Sequence, residues 1–274
     1  MAGFWSIVGV ASTVALGVAG AARAADSWAD KVVSYSAGTG GAPGYDNPGV
    51  ALGEPTRFTG VGVFPGAVTP FNSPYLATEI VSIGTGGSLV VSFDEPVTND
   101  AANPFGIDLL IFGNSFFEDT SYPNGIVGKL FGSAGTIEVS PDGVNWTLVP
   151  GTKADGLFPT LGYADLTDPY STVPGAVASD FTKPVDPGLA AAGLDYAQLV
   201  SAYNGSGGGA GVDIGALGLS AISFVRVAGA GSGATVEIDG FSDVTAVPTP
   251  GAAGLLVAAA GWMFAARGRT RRAR

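Results

Sequence analysis

Short runs of alternating apolar and polar residues, separated by turn residues, fill the middle of this chain. In the clearest run Leu89, Val91 and Phe93 occupy every second position, and the run is predicted to stop at Pro96. A period of two is typical of a strand with one buried face. Comparable runs lie at 76–83, 107–112, 136–140, 146–149, 220–227 and 234–238. The pattern therefore predicts an all-β fold with at least seven strands.

Three of these runs also predict how their strands are placed in the fold. The run 107–112 is apolar on both faces except at Asp108, as in a central strand covered on both sides. The runs 136–140 and 146–149 flank Pro141-Asp142-Gly143, a combination that favours a turn. They are predicted to form a hairpin.

One segment has a helical pattern. Residues 194–203 predict a short helix that Asp195 caps and Asn204-Gly205 ends. Before it, 151–192 is rich in Pro, Gly and Asp, and irregular stretches of this length usually serve as binding loops or metal clasps. The glycine-rich run 205–211 lacks the Lys-Ser/Thr of a phosphate-binding loop and is read as a flexible loop.

Charge and composition exclude several classes of function. All 23 acidic residues lie between Asp26 and Asp243 with only six of the 12 basic residues, so this stretch carries a formal charge of −17. Such a surface repels phosphate backbones, and we expect no nucleic-acid binding. The chain has no Cys and no His. Disulfides, thiol nucleophiles, Ser-His-Asp catalysis and zinc sites built on imidazole or thiolate are thereby excluded.

The N-terminal residues 1–24 read as a signal peptide. An apolar stretch from Ile7 to Gly20 is followed by Ala22-Arg23-Ala24, which fits an A-x-A cleavage site. The first residues contain no Lys or Arg, so an uncleaved anchor stays as an alternative. In both cases the domain at 25–246 is exported.

The C-terminal residues 247–274 combine three ordered features. Val247-Pro248-Thr249-Pro250 precedes an apolar stretch at 251–266, and five arginines follow it. A terminal apolar stretch with a basic flank favours a short transmembrane helix with a cytoplasmic end over a buried core helix. This end resembles the PEP-CTERM sorting signal of bacterial exported proteins, although Thr249 replaces the usual Glu. The resemblance implies processing by an exosortase-type membrane enzyme, in an envelope that makes exopolysaccharide.

Four short motifs span the domain, at Ala51–Pro55, Asp108–Phe117, Ile137–Trp146 and Asp239–Val244. In these motifs the domain resembles a group of PEP-CTERM-linked bacterial surface proteins with a discoidin or galactose-binding jelly-roll domain. This resemblance implies a jelly-roll-like β-sandwich with one short helical insert. The group suggests no activity for this chain.

The same resemblance implies a structural calcium ion between the two chain ends. Oxygen ligands from loop carboxylates and amides suit Ca²⁺. The implied ligands are Asp46, Asn47 and Glu54 in the first loop with Asp239 or Asp243 in the last strand. Asn114, Glu118 and Asp119 form a second candidate cluster. The alternative is that all these acids are solvated turn formers.

Carbohydrate binding is the functional hypothesis. Sugar sites stack aromatic rings on the sugar and bond its hydroxyls with polar side chains. The candidate residues are Tyr45, Phe116, Phe117 and Trp146, with Tyr122, Tyr163 and Tyr170 also in turn-rich segments. Core packing is the simpler interpretation for Trp146 at the start of a strand.

We therefore expect a non-catalytic module of the cell surface or extracellular matrix, membrane-anchored through its C-terminus, that binds glycan or matrix polysaccharide. One alternative is a purely structural envelope protein. The other is a carbohydrate-active hydrolase that uses paired carboxylates, because His and Cys are absent.

Overall fold

The computed structural model of the chain describes residues 27–133, 135–229, 231 and 235–244. The predicted signal peptide at 1–24 and the sorting segment at 247–274, including Val247, Pro248, Thr249 and Pro250, lie outside the described residues. Those predictions therefore stay predictions.

The described residues form short strands, a few 3₁₀ turns and one α-helix, α1 (Tyr196–Tyr203). The strands are β1 (Lys31–Ser36), β2 (Phe58–Thr59), β3 (Gly66–Ala67), β4 (Val81–Ile83), β5 (Ser88–Thr98), β6 (Leu109–Gly113), β7 (Phe116–Asp119), β8 (Val127–Phe131), β9 (Thr136–Ser140), β10 (Thr147–Leu148), β11 (Ala210–Val212), β12 (Ala221–Ala228) and β13 (Val236–Asp243). All strand pairs named here are antiparallel. The all-β prediction is confirmed.

One sheet has five strands in the order β1-β5-β12-β9-β10. Strand β5 runs on to Thr98, so the prediction that it stops at Pro96 is wrong. Opposite it on β12, Phe224 pairs with Ser92 and Ile222 with Val97, so the pairing slips between these positions. Pro96 falls in this slipped stretch, where its missing N–H costs no ladder bond. The predicted hairpin β9–β10 is confirmed.

The second sheet has four strands in the order β11-β6-β13-β4. Strand β6 lies inside it, and each of its five residues is buried. The prediction of a central strand at 107–112 is thus confirmed. Of the predicted strand at 76–83, only Val81–Ile83 forms a strand. The first part of that range forms a turn, in which the Glu79 carboxylate accepts hydrogen bonds from the backbone N–H of Tyr75 and Leu76 at 3.1 Å each.

The main core lies between the inner faces of the two sheets. It joins β5, β9 and β12 of the first sheet to β4, β6 and β13 of the second, as in Val91, Val225, Leu109, Ile111 and Ile238. Alternate side chains of β6 point the other way. Leu110 and Phe112 pack on Phe181 in the long segment before α1. Because β6 is covered on both faces, it carries apolar residues at successive positions.

The segment 151–192 is irregular but packed. Phe158, Leu161 and Val185 join Leu199 and Tyr203 of α1 in a second buried cluster beside the sandwich. Helix α1 has the predicted Asp195 cap, and Asn204 ends it in the left-handed conformation. In the part of the chain that the structure describes, no helix is long and apolar enough to cross a bilayer.

Loss of the Phe112 ring is expected to destabilise the fold strongly. Phe112 is fully buried and meets Phe181 edge to face at 5.1 Å between ring centroids. The variant F112A should lower the free energy of unfolding by about 3–5 kcal/mol, because a cavity forms under β6. Urea unfolding followed by tryptophan fluorescence measures this. V144A, at a residue that is 77% exposed, is the control and should change stability by less than about 0.5 kcal/mol.

Candidate functional site

The hairpin β7–β8 presents an aromatic surface to solvent. Side chains alternate along its strands, so Phe116 and Phe131 point outward while Phe117 points inward. Phe116 pairs directly with Phe131, and Phe117 with Leu130. Phe117 is buried among Phe71 and the second cluster. The buried face thereby fixes the position of the exposed face.

The two outward rings form a stacked pair. Their centroids are 5.4 Å apart and their planes differ by 25°. Phe116 is 39% exposed and Phe131 48%. Glu118 and Lys129 are the next outward residues along the two strands, and both are exposed. A flat apolar surface thus has an acceptor and a donor close by in the same hairpin.

The loop of this hairpin is held by Asp119. One carboxylate oxygen accepts from the backbone N–H of Ser121 at 2.9 Å and of Ile126 at 3.0 Å. The other accepts from Gly125 N–H at 2.9 Å and from the Tyr170 hydroxyl at 3.2 Å. Burial opposes ionisation of this carboxyl, but the hydrogen bonds outweigh it and lower the pKa of Asp119. Asp119 therefore stays ionised and keeps the loop shape.

A further exposed aromatic side chain stands on that loop. Tyr122 is 75% exposed and packs edge to face on Tyr170 with 5.1 Å between centroids. Tyr170 is itself fixed through Asp119. The hairpin thus carries Phe116, Phe131 and Tyr122 at its surface. Phe131 was missed in the sequence because 127–131 was not recognised as a strand; its Val-Gly-Lys-Leu-Phe alternation was the available signal.

The other predicted aromatic candidates lie elsewhere. Tyr45 is partly buried, and its hydroxyl donates to the Tyr75 carbonyl at 2.7 Å. Trp146 is only partly buried, and the Cζ atom of the Arg226 guanidinium lies 4.2 Å from the centroid of its ring. The interpretation of Trp146 as a core residue is therefore wrong. Phe117 is buried and has no surface for a ligand. Of the four candidates, Phe116 alone lies in the exposed aromatic pair.

Three of the residues predicted to hold calcium form hydrogen bonds or an ion pair with other groups of the chain. Asn47 accepts from Gly49 N–H at 3.1 Å, and Glu54 forms an ion pair with Arg57 at 2.5 Å. Asp239 accepts from the backbone N–H and the hydroxyl of Thr56, each at 2.8 Å.

The remaining two candidates, Asp46 and Asp243, have other neighbours. Asp46 lies beside Tyr35 and Ser82 in an open hollow. Burial, and after it the negative charge of Asp108, raises the pKa of Asp243 to about 7.

Among residues 27–244, apart from the few not described, no group of three or more acidic side chains is arranged to hold a metal ion. In the second candidate cluster, Asp119 is engaged by its own loop. Calcium binding stays a prediction.

A separate apolar cleft of about 230 Å³ opens beside edge strand β11. Its walls come from the irregular segment and from β6, β8 and β11, and include Ile107, Leu110, Leu130, Leu157, Phe158 and Val185. Lys153 is the one charged residue in this lining. A sugar requires several polar partners, so this cleft suits an apolar group instead.

Asp155 and Asp239 are two buried carboxyl groups near β13 with raised pKa values. Burial raises the pKa of Asp155 to about 7, against hydrogen bonds from Ser133 and Ser115 that lower it. Burial also raises the pKa of Asp239 to about 7, against the two hydrogen bonds from Thr56. Each group sits among backbone donors within the fold and none of the cleft residues is acidic. These carboxyl groups organise loops.

Comparisons with known proteins add no family to this picture. Neither a scan against family models nor a search of curated proteins finds a match for the chain.

Stability should fall as the pH rises from about 4 to 7. A carboxyl group whose pKa is raised on folding binds its proton more tightly in the folded state. This stabilisation is complete below the pKa of the unfolded state, and it is lost as the pH rises through the pKa of the folded state. Each such carboxyl group lowers the free energy of unfolding by at most about 1.4 kcal/mol per pH unit. Urea unfolding at several pH values measures the slope.

The variant D239N tests whether folding raises the pKa of Asp239. Its amide can accept from Thr56 N–H and donate to the Thr56 hydroxyl, so the fold is expected to survive. Its unfolding free energy should depend less on pH between 4 and 7 than that of the native chain. Identical pH profiles for the two chains would contradict the raised pKa of Asp239.

Proposed function

We propose that this chain is an exported, surface-anchored, non-catalytic module that binds glycan through the β7–β8 hairpin. The observation that supports it is the stacked, solvent-exposed pair Phe116 and Phe131. Contiguous apolar patches that are exposed at a domain surface often mark binding sites. Apolar C–H faces of a sugar ring fit such rings, while Glu118 and Lys129 are in place to bond hydroxyl groups.

The finer architecture belongs to the same proposal. Two antiparallel sheets that share one core support a jelly-roll-like sandwich. Export and attachment are supported by the sequence at 1–24 and at 247–274. The partners would be an exosortase-type membrane enzyme and an extracellular polysaccharide. The location would be the cell surface or the extracellular matrix.

A non-catalytic role is supported by the aromatic surface itself. Its two outward polar residues, Glu118 and Lys129, have opposite charge, whereas glycoside hydrolysis requires two carboxyl groups about 5–10 Å apart across the sugar. The buried Asp155 and Asp239 bond to backbone groups inside the fold. They are shielded from a polymeric substrate.

Removal of either outward ring is expected to weaken glycan binding. Electrophoresis through gels that contain candidate bacterial exopolysaccharides measures it as retardation of the chain. F116A and F131A should each raise the dissociation constant about tenfold or more, because each removes apolar contact area with the sugar. Circular dichroism should stay unchanged, since both rings lie outside the buried clusters.

F105A provides the matched control. Phe105 is a phenylalanine that is 55% exposed, outside the hairpin, and its loss should leave retardation unchanged. Equal losses for F105A and F116A would refute the assigned surface. A folded native chain that no polysaccharide retards would favour the purely structural role instead.

Deletion of the sorting segment is expected to release the chain. A chain that ends at Ala246 lacks the apolar stretch and its arginines, so in a bacterium with an exosortase it should move from the envelope fraction to the medium. Cell fractionation with immunoblotting measures this. The full-length chain in the cytoplasm, or the shortened chain still in the envelope, would contradict the proposed anchoring.

A further inference from the structure

A carboxyl group from the irregular segment joins the two strands of the β7–β8 hairpin at its open end. Asp155 is 2% exposed. Its Oδ1 accepts a hydrogen bond from Ser115 N–H at 2.7 Å, and its Oδ2 accepts one from Ser133 N–H at 3.1 Å. Ser115 immediately precedes β7, and Ser133 is the second residue after β8. We call these two hydrogen bonds the Asp155 bridge.

The Asp155 bridge lies next to the exposed aromatic pair. Phe116 follows Ser115 directly, and Phe131 comes two residues before Ser133. Phe116 and Phe131 are also the strand pair of the hairpin nearest to this end. The bridge therefore fixes the separation of the two strands at the point where the two rings stack.

Backbone surrounds Asp155 closely. Gly113 and Gly132 pack so tightly on this residue that a Cβ on either would collide, with Asp155 Oδ1 and with the Asp155 carbonyl respectively. The Ser115 hydroxyl donates to the Gly156 carbonyl at 3.0 Å, which holds the segment against the start of β7. Water therefore reaches the carboxyl group of Asp155 only when the open end of the hairpin separates from the segment.

We propose that Asp155 is a positioning residue of the glycan-binding surface and makes that surface sensitive to pH. While the Asp155 bridge is formed, Phe116 and Phe131 stay stacked. When Asp155 ionises, it favours hydration, and the open end of the hairpin separates more often. The consequence for glycan binding rests on the proposed function, whereas the separation of the hairpin end does not depend on it.

The direction of the pH effect follows from the two environments of Asp155. Burial raises the pKa of Asp155 in the formed bridge to about 7, against the hydrogen bonds from Ser133 and Ser115. In a separated hairpin end the carboxyl group is hydrated, with an ordinary pKa of about 4. The formed bridge thus binds the proton more tightly. The bridge is favoured most below about pH 4, and this advantage falls up to tenfold per pH unit as the pH rises to about 7.

Two other charged residues belong to the surroundings of Asp155. Glu237 of β13 adds a negative charge, which also raises the pKa of Asp155. Lys153 lies two residues before Asp155 on the same segment and lines the cleft beside β11. The parts of β6, β7 and β8 that pack on Asp155 contribute residues without a titratable side chain, namely Gly113, Ser115, Gly132 and Ser133. The pH response of the bridge is therefore assigned to Asp155.

Amide hydrogen exchange of the purified full-length chain tests the bridge without any glycan. Protection factors of the Ser115 and Ser133 amides, corrected for the intrinsic exchange rate at each pH, are measured by NMR between pH 5 and 8. In the native chain both should fall at least about tenfold over this range, because the hairpin end separates more often as Asp155 ionises. The two amide signals should also shift with a midpoint near pH 7.

D155N and D239N form a matched pair of variants. Each replaces a buried carboxyl group, whose pKa folding raises to about 7, by a neutral amide. Asp239 bonds to Thr56 and not to the hairpin. In D155N the protection of the Ser115 and Ser133 amides should change less than about twofold between pH 5 and 8, because the titrating group is gone. D239N should keep the decrease of the native chain at these two amides.

Retardation by a polysaccharide that the native chain binds gives the functional result. The dissociation constant of the native chain should rise about threefold or more from pH 6 to 8.5, because the fraction of chains with a formed bridge falls. Gels without polysaccharide at each pH correct for the charge of the chain. The dissociation constant of D155N should stay constant over this range, and that of D239N should follow the native chain.

Three results distinguish the possible failures. Amide protection that depends on pH as strongly in D155N as in the native chain would overturn the proposal, and so would native amides that do not respond to pH, a measurement that needs no variant. A normal exchange result with a pH-independent dissociation constant of the native chain would make Asp155 a structural residue only. A chain that no polysaccharide retards would count against the proposed function, while hydrogen exchange would still decide whether Asp155 controls the hairpin end.

Discussion

The burial of β6 on both faces is the constraint on which the rest of the structure depends. Leu109 and Ile111 face the five-stranded sheet, while Leu110 and Phe112 face the segment that carries Phe181. A strand covered on one face only would leave half of these side chains in water. The long segment 151–192 therefore acts as the outer cover of the sandwich. It also forms the wall of the cleft beside β11.

The acidic composition has a structural explanation in the loops. Asp142 accepts from the backbone N–H of Val144 and Asn145, and Asp165 from that of Ala176 and Val177. Asp119 accepts hydrogen bonds from backbone N–H groups of the β7–β8 loop in the same way. A chain with no disulfide and long irregular stretches satisfies backbone donors with carboxylates, which also lowers their pKa. These aspartates thus have a structural role as acceptors for backbone N–H groups in the loops.

Two short hairpins outside the main sheets each carry exposed apolar side chains. Phe116 and Phe131 lie flat on β7–β8, and Val61, Val63 and Phe64 lie at the tip of β2–β3. Each hairpin is fixed from beneath, the first by Phe117 in the second cluster and the second by Tyr75 and Glu79. Each hairpin thus holds its exposed apolar side chains in one position on the surface.

The sequence alone determined the all-β class, the β9–β10 hairpin, the central strand and the capped helix, because each depends on local periodicity or turn chemistry. It also placed Phe116 among the surface aromatics. Only the tertiary structure decided which rings meet: Phe131 reaches Phe116 through strand pairing, and Trp146 reaches Arg226 across the sheet. The hydrogen bonds of Asp239 to Thr56 and the cleft beside β11 were likewise settled by packing, since contacts between distant segments leave no periodic signal in the chain.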